Sequence, residues 1–191
     1  MYRASAKLQT DRRFKSNEYC QIKMHHHYYR PHFDHFLAQL LTHPRVQLGF
    51  YTSIMRKNVM PLLFKIFDLP ALNEHRARIF EVFDQSYNVP LNDPTKPVYA
   101  TKRDLTKVLE HYKCKEFGFG LHNTMMVDSD VSKVQDYGKN SIVIREYEES
   151  EVRKPSEDQS KILLEVRDYI YQMLEECSDV RTYLQNNRPK F

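Results

Sequence analysis

Glycine is scarce, with four in 191 residues. Loops that cradle phosphate need glycine where the backbone approaches the anion. Neither G-x-G-x-x-G nor a Walker pattern occurs, so the common nucleotide-binding loops are excluded. Tryptophan is absent, although the chain carries 13 Tyr and 11 Phe. No apolar run approaches the ~18–20 residues a membrane-spanning helix needs. Cys20, Cys114 and Cys177 are far apart and odd in number; they read as reduced thiols, not a disulfide framework. Neither sign of charge dominates: 29 Lys and Arg against 25 Asp and Glu leave +4, too mild to predict nucleic-acid binding. Acid runs short in one place only. Residues 1–16 hold Arg3, Lys7, Arg12, Arg13 and Lys15 against Asp11 alone. That composition suits a mitochondrial targeting segment or a solvated basic arm, and without an apolar h-region it is no secretory signal.

What is present is a globular composition, 41% apolar and 28% charged, long enough for one domain with an ordinary core. Residues 1–18 lack periodicity and read as an extended arm, followed by a loosely alternating strand over 19–24. His25, His26 and His27 come next, with His32, His35 and His43 nearby. Adjacent side chains on an extended chain diverge, and no Cys or carboxylate stands at a finger-like spacing. A polar rim or partner contact is the expectation.

A helix opens around Pro31, with Phe33, Phe36, Leu37, Leu40 and Leu41 on one face, and Pro44 ends it. A strand over 46–51 ends at the hydroxyl pair Thr52-Ser53. The next helix presents Ile54, Met55, Leu62, Leu63, Ile66 and Phe67, with a kink or break expected at Pro61. A short strand is expected within 78–83, a Pro- and Asn-rich loop after it, an extended piece over 98–100, and a helix facing inward through Leu105, Val108, Leu109 and Tyr112. Near the C-terminus, Ser156 and Gln159 have capping-box spacing, ahead of a helix carrying Leu163, Val166, Ile170, Met173 and Leu174. The tail after Ser178 carries no assigned element.

The chemistry concentrates between 123 and 147. The run Thr124-Met-Met-Val127 stops at Asp128-Ser129-Asp130, and a second short run, Ile142-Val-Ile144, follows. Short unbroken apolar runs suit strands buried on both faces of a parallel sheet. Chemistry in open α/β sheets sits just beyond the carboxyl ends of the strands, so these carboxylates stand where a metal or phosphate site would be.

Three blocks in fixed order carry a resemblance: Arg30-Pro-His-Phe-Asp-His-Phe-Leu37 with Tyr51-Thr52-Ser53; Lys102-Arg103-Asp104-Leu105; and Val127-Asp128-Ser129-Asp130 with Lys133 and Asn140-Ser-Ile-Val-Ile144. Together they resemble the NLI-interacting-factor-like phosphatases, the polymerase C-terminal-domain phosphatase branch of the haloacid-dehalogenase superfamily. The resemblance implies a haloacid-dehalogenase-like α/β fold: a doubly wound, mainly parallel sheet with helices on both faces, here degenerate at its first strand. It divides the chain into an arm over 1–27, a phosphatase-like domain over 28–184 and a tail over 185–191.

The family chemistry needs a nucleophilic Asp with a second Asp two residues on, a Thr or Ser for the phosphoryl group, a Lys, and an Asp pair for Mg²⁺. No Asp pair matches the first part. Asp11 is followed by Arg13 where its partner would stand, with no apolar strand ahead of it. Thr52 matches the second. Arg103 aligns with the lysine, and Lys102 aligns only after a one-residue slip. Asp128 matches one metal ligand, Ser129 replaces the other, and Asp130 is displaced by one.

The resemblance therefore implies a pseudophosphatase with no catalytic residues. Thr52, Arg103 and Asp128 are remnants; Thr52, Lys102 and Arg103 are candidate phosphate contacts; Asp128 and Asp130 are a remnant metal pair without an expected cofactor. The expected role is a scaffold or interaction subunit of a multi-subunit protein assembly. The alternatives are a Mg²⁺-dependent phosphoserine/phosphothreonine phosphatase completed by another chain, or a phosphopeptide-binding module. The missing strand leaves a slot, to be filled by 19–24 or by another polypeptide. Mitochondria are the expected compartment, nucleus or cytoplasm the alternative.

Overall fold

A computed structural model describes residues 1–5, 7, 8, 14, 15, 18–154 and 156–191. Asp11, Arg12 and Arg13 of the basic arm lie outside them, as does the side chain of Gln159. In chain order the elements are β1 (Tyr2–Ala4), β2 (Tyr19–Ile22), β3 (His25–Tyr28), α1 (Phe33–Thr42), β4 (Phe50–Tyr51), α2 (Arg56–Ile66), β5 (Val82–Phe83), β6 (Asn88–Pro90), β7 (Thr101–Arg103), α3 (Leu105–Leu109), α4 (Tyr112–Glu116), β8 (Met126–Asp128), α5 (Val131–Val134), β9 (Ser141–Val143), α6 (Glu149–Arg153), α7 (Glu157–Glu176) and α8 (Val180–Asn186).

This is an α/β chain with mixed parallel and antiparallel pairing. Among the described residues the strands form one three-stranded sheet, β1-β3-β2, and three two-stranded pairs, β4-β5, β6-β7 and β8-β9. The pairing is mixed: β1-β3, β2-β3 and β6-β7 are antiparallel, and β8-β9 is parallel. The chain groups into two compact units: Met1–Phe50, Arg56–Val82 and Tyr147–Asp168 in one; Tyr51–Met55, Phe83–Glu146 and Tyr169–Phe191 in the other.

In the first unit the histidines are a strand. Lys23, with φ 54, turns β2 back into β3, so 25–28 is neither rim nor loop, and the start of the expected arm adds β1 on the other side. Strand alternation sends Ala4, Tyr19 and Tyr28 to one face and Arg3, Cys20 and His27 to the other. Ala4 and Tyr28 pack with Tyr147 and Val152, joined by Leu8, Phe14 and Tyr19. Of the stretch 19–24 read as a strand, Tyr19–Ile22 forms β2 and pairs with β3.

Helix α1 buries Phe36, Leu37, Leu40 and Leu41, four of the five expected positions, and begins two residues after Pro31. Helix α2 runs unbroken past Pro61, burying Val59, Leu62, Leu63 and Ile66, while Met55 stays exposed ahead of it. The proline removes one N–H but sits in the second turn, where neighbouring turns sustain the helix.

In the second unit, Asn88–Pro90 pairs with Thr101–Arg103 although its composition reads as loop. Its partner lies one step beyond the expected extended piece, and Val98 and Tyr99 are exposed. The helix expected after Asp104 divides into α3 and α4, which turns Tyr112 out to solvent. Gly118, at φ 69, ends α4: the Phe119 N–H reaches back to the Cys114 carbonyl at 2.8 Å. That left-handed closure is why glycine stands there. The tail after Ser178 is α8, capped by the Asp179 carboxylate on the Arg181 N–H.

Candidate functional site

Strands β4 and β8 end in polar groups, Thr52-Ser53 and Asp128-Ser129-Asp130, and β7 delivers Arg103. All belong to the second unit. Alternation along β7 sends Lys102 and Arg103 to opposite sides. Lys102 forms an ion pair with Asp136 at 2.6 Å near the surface. Arg103 points inward and is 7% exposed.

The Arg103 guanidinium is engaged on three sides. Its Nε donates to Asp128 Oδ2 at 3.1 Å, Nη2 stands in ion-pair contact with the same oxygen at 3.1 Å, and Nη1 donates to Ser53 Oγ at 3.0 Å and to Asn88 Oδ1 at 3.3 Å. Its face lies 4.7 Å from the Tyr51 ring centroid, a cation–π contact. A charge can be taken out of water only when paired and hydrogen-bonded, and this one has a carboxylate, two further acceptors and an aromatic face.

Asn88 is oriented from its other side, because its Nδ2 donates to the Thr52 carbonyl at 3.1 Å. Sequence reading took Asn88 for a loop marker; its burial at 8% exposure comes from the β6-β7 pairing, which no local signal announces.

Tyr51 is held as firmly. Its hydroxyl donates to the Tyr87 carbonyl at 2.7 Å and accepts the Asp104 N–H at 2.8 Å. Burial leads in pushing its phenol pKa up to about 12. Asp104 caps α3, accepting the Thr106 and Lys107 N–H groups and the Tyr137 hydroxyl.

The two tip carboxylates do separate jobs. Asp128 Oδ1 accepts the N–H groups of Ser129 at 2.8 Å and Asp130 at 3.1 Å. Oδ2 takes the Arg103 Nε donor and the Nη2 contact, so both oxygens are engaged. Asp130 caps α5, its Oδ1 accepting the Ser132 N–H at 3.0 Å and the hydroxyl at 2.6 Å. Burial raises the Asp130 pKa, but the Ser132 bonds and the nearby Lys133 and Lys96 outweigh it, and the net shift is downward.

A hard cation such as Mg²⁺ requires several free oxygen donors in one place. Here a guanidinium already stands on Asp128, and Asp130 is committed to a helix cap. This donor set does not suit the ion, and among the described residues no three His, Cys, Asp or Glu are grouped to hold a metal.

Thr52 lies at the β4 tip as read from the sequence, its Oγ1 accepting the Ile54 N–H at 3.1 Å. The fold thus brings Thr52, Ser53, Arg103 and Asp128 into one network and takes Lys102 away from it. Chemically, the network fixes strand tips.

Compared with known proteins, residues 4–181 match the family model described as NLI interacting factor-like phosphatase. No curated protein matches the chain.

Proposed function

The chain belongs to the NLI interacting factor-like phosphatase family, and from that premise we propose that it is a catalytically silent member serving as a scaffold or interaction subunit of a larger protein assembly. One observation carries the reading: the Arg103 guanidinium sits on Asp128 Oδ2, with side-chain exposures of 8% and 15%. The resemblance assigns that carboxylate to a divalent cation. An internal cation there neutralises it, permanently and without exchange. Arginine does this where lysine would not, since its planar fork reaches Asp128, Ser53 and Asn88 together. No Asp-x-Asp pair in the sequence matches a nucleophile and its acid/base partner, so the covalent step lacks an acceptor.

The same geometry disfavours phosphopeptide binding, because the Arg103 Nε and Nη1 donors are directed at Asp128, Ser53 and Asn88. We propose mitochondria as the compartment, on the acid-poor composition of residues 1–16.

The decisive measurement is phosphate release from para-nitrophenyl phosphate and from a phosphoserine peptide, with and without Mg²⁺. The expected rate equals that of Thr52→Val and Asp128→Asn variants. Magnesium-dependent turnover that vanishes in those variants would overturn the reading, and phosphate-dependent peptide binding without turnover would replace it.

A further inference from the structure

The start of the basic arm is strapped across one face of the first unit's sheet. β1 lies along β3 as a strand of three residues, and its Ala4 is buried with Tyr28, Tyr147 and Val152. The Leu8 N–H donates to the Tyr28 hydroxyl at 2.8 Å, and the Lys7 ammonium lies 5.7 Å from the Tyr19 ring centroid. The Phe14 ring stands 4.9 Å from that of Tyr28 and 5.9 Å from that of Tyr19. Beneath them the Tyr19 and Tyr28 rings stack on each other at 5.7 Å. The strap therefore covers an aromatic floor.

The opposite face of the sheet carries the charge. His27 is buried on the central strand, with Arg3 of β1 and Cys20 of β2 directly across its two ladders. Alternation puts His25 on the same face and His26 on the other. Helix α2 packs on β2; there Lys65, paired with Asp68 at 3.4 Å, acts on Cys20, and Asp68 acts on Tyr29. The charges that act on His27 itself are those of Arg3, His25 and His26. Its Nδ1 is buried without a hydrogen-bond partner among the described residues. A neutral imidazole is tolerated in this place. An imidazolium is not, because like charges directly opposed destabilise a strand pair and a buried cation needs a counter-charge.

The two ladders are unequally braced. β2 and β3 form a hairpin closed at Lys23, and α2 backs β2. β1 is an edge strand held by three residue pairs. Repulsion between Arg3 and a protonated His27 thus falls on the ladder with less to hold it.

We propose that protonation of His27 releases β1 together with the strap, so that acid uncovers the Tyr19–Tyr28 floor while the rest of the fold stays closed. This rests on the sheet of the first unit and not on the catalytic reading. Linkage gives the direction. Under the strap His27 titrates at about 4, through burial first and then its positive neighbours; once hydrated it moves back toward its ordinary 6.5. The open form therefore binds the extra proton, and opening grows as pH falls below about 6.5. Local opening of an edge strand is the kind of event hydrogen exchange resolves.

The experiment is hydrogen exchange of the full chain, read by mass spectrometry on pepsin fragments and corrected for the intrinsic pH dependence of exchange. Between pH 7.5 and pH 4.5 the fragment over residues 1–8 should lose protection at least tenfold, while fragments over α1 and α7 keep theirs. Fluorescence of the apolar dye ANS should rise over the same interval. His27→Phe and His27→Gln, neither of which titrates, should keep the strap protected and the dye signal flat.

Protection of residues 1–8 that persists to pH 4.5 in the unmodified chain overturns the proposal. Loss that arrives together with α1 and α7 does so too, since that is global acid unfolding. Both results are read without any variant. Loss of undiminished size in either folded variant gives the titration to another group and overturns it as well, as does local loss without the rise in dye fluorescence.

Discussion

Each unit buries a basic side chain, and the two do so in opposite ways. His27 lies in β3 at 7% exposure with Arg3 and Cys20 directly across its ladders; its Nδ1 has no hydrogen-bond partner. Burial first, then the positive neighbours Arg3, His25 and His26, lower its pKa to about 4. Arg103, equally buried, has Asp128, Ser53 and Asn88 around it. A titratable base without an acid sheds its proton when water is removed. Arginine has no such exit, so at Arg103 burial is offset by a carboxylate and two further acceptors. The histidine strand is a packed surface that tolerates polar residues. The Arg103 network is an ionic joint whose loss exposes a cost on both sides.

The largest expected effect separates the two regions. Arg103→Met leaves the half-buried Asp128 carboxylate without its cation and should destabilise the protein by about 3 kcal/mol, read from urea unfolding. The double variant with Asp128→Leu should recover much of that loss. Equal stability of single and double variants would mean that the pair is not the joint.

Next comes the histidine strand. The His27 pKa is lowered on folding, so the unfolded chain binds more protons between about pH 4 and about pH 6.5. Its contribution to stability is therefore intact above pH 6.5 and is lost as pH falls toward 4, by on the order of 2 kcal/mol. His27→Phe should flatten that part of the profile, whereas Arg103→Met should leave its slope unchanged. The smallest effect is expected at Asp104→Ala, which removes the α3 cap for about 1 kcal/mol. A much larger loss there would show that Tyr137, which also bonds Asp104, belongs to the joint.

Periodicity located α1, α2 and α7 by their apolar faces, because a helix shows its buried side every three or four residues. In α7, Leu163, Val166, Ile170 and Met173 are buried as expected, with Ile162 added. Short strands carry no such redundancy. β4, β5, β6 and β7 are two or three residues each, so their partners, and even the strand character of Asn88 and Pro90, came from pairing across the chain. At the site, the apolar runs placed Thr52 and Asp128 at strand tips, as the structure has them. They did not foresee Ser53 and Asn88 as acceptors or Asp130 as a cap, since each role depends on where a distant segment arrives.

The sequence by itself determined which side chains are available: Lys102 and Arg103 side by side, the hydroxyl pair Thr52-Ser53, and Asp128 and Asp130 two residues apart. Only the tertiary structure decided what those residues do. It turned Arg103 inward while Lys102 went to the surface. Charge and composition are properties of the chain, but pairing a buried charge requires groups far apart in sequence to meet.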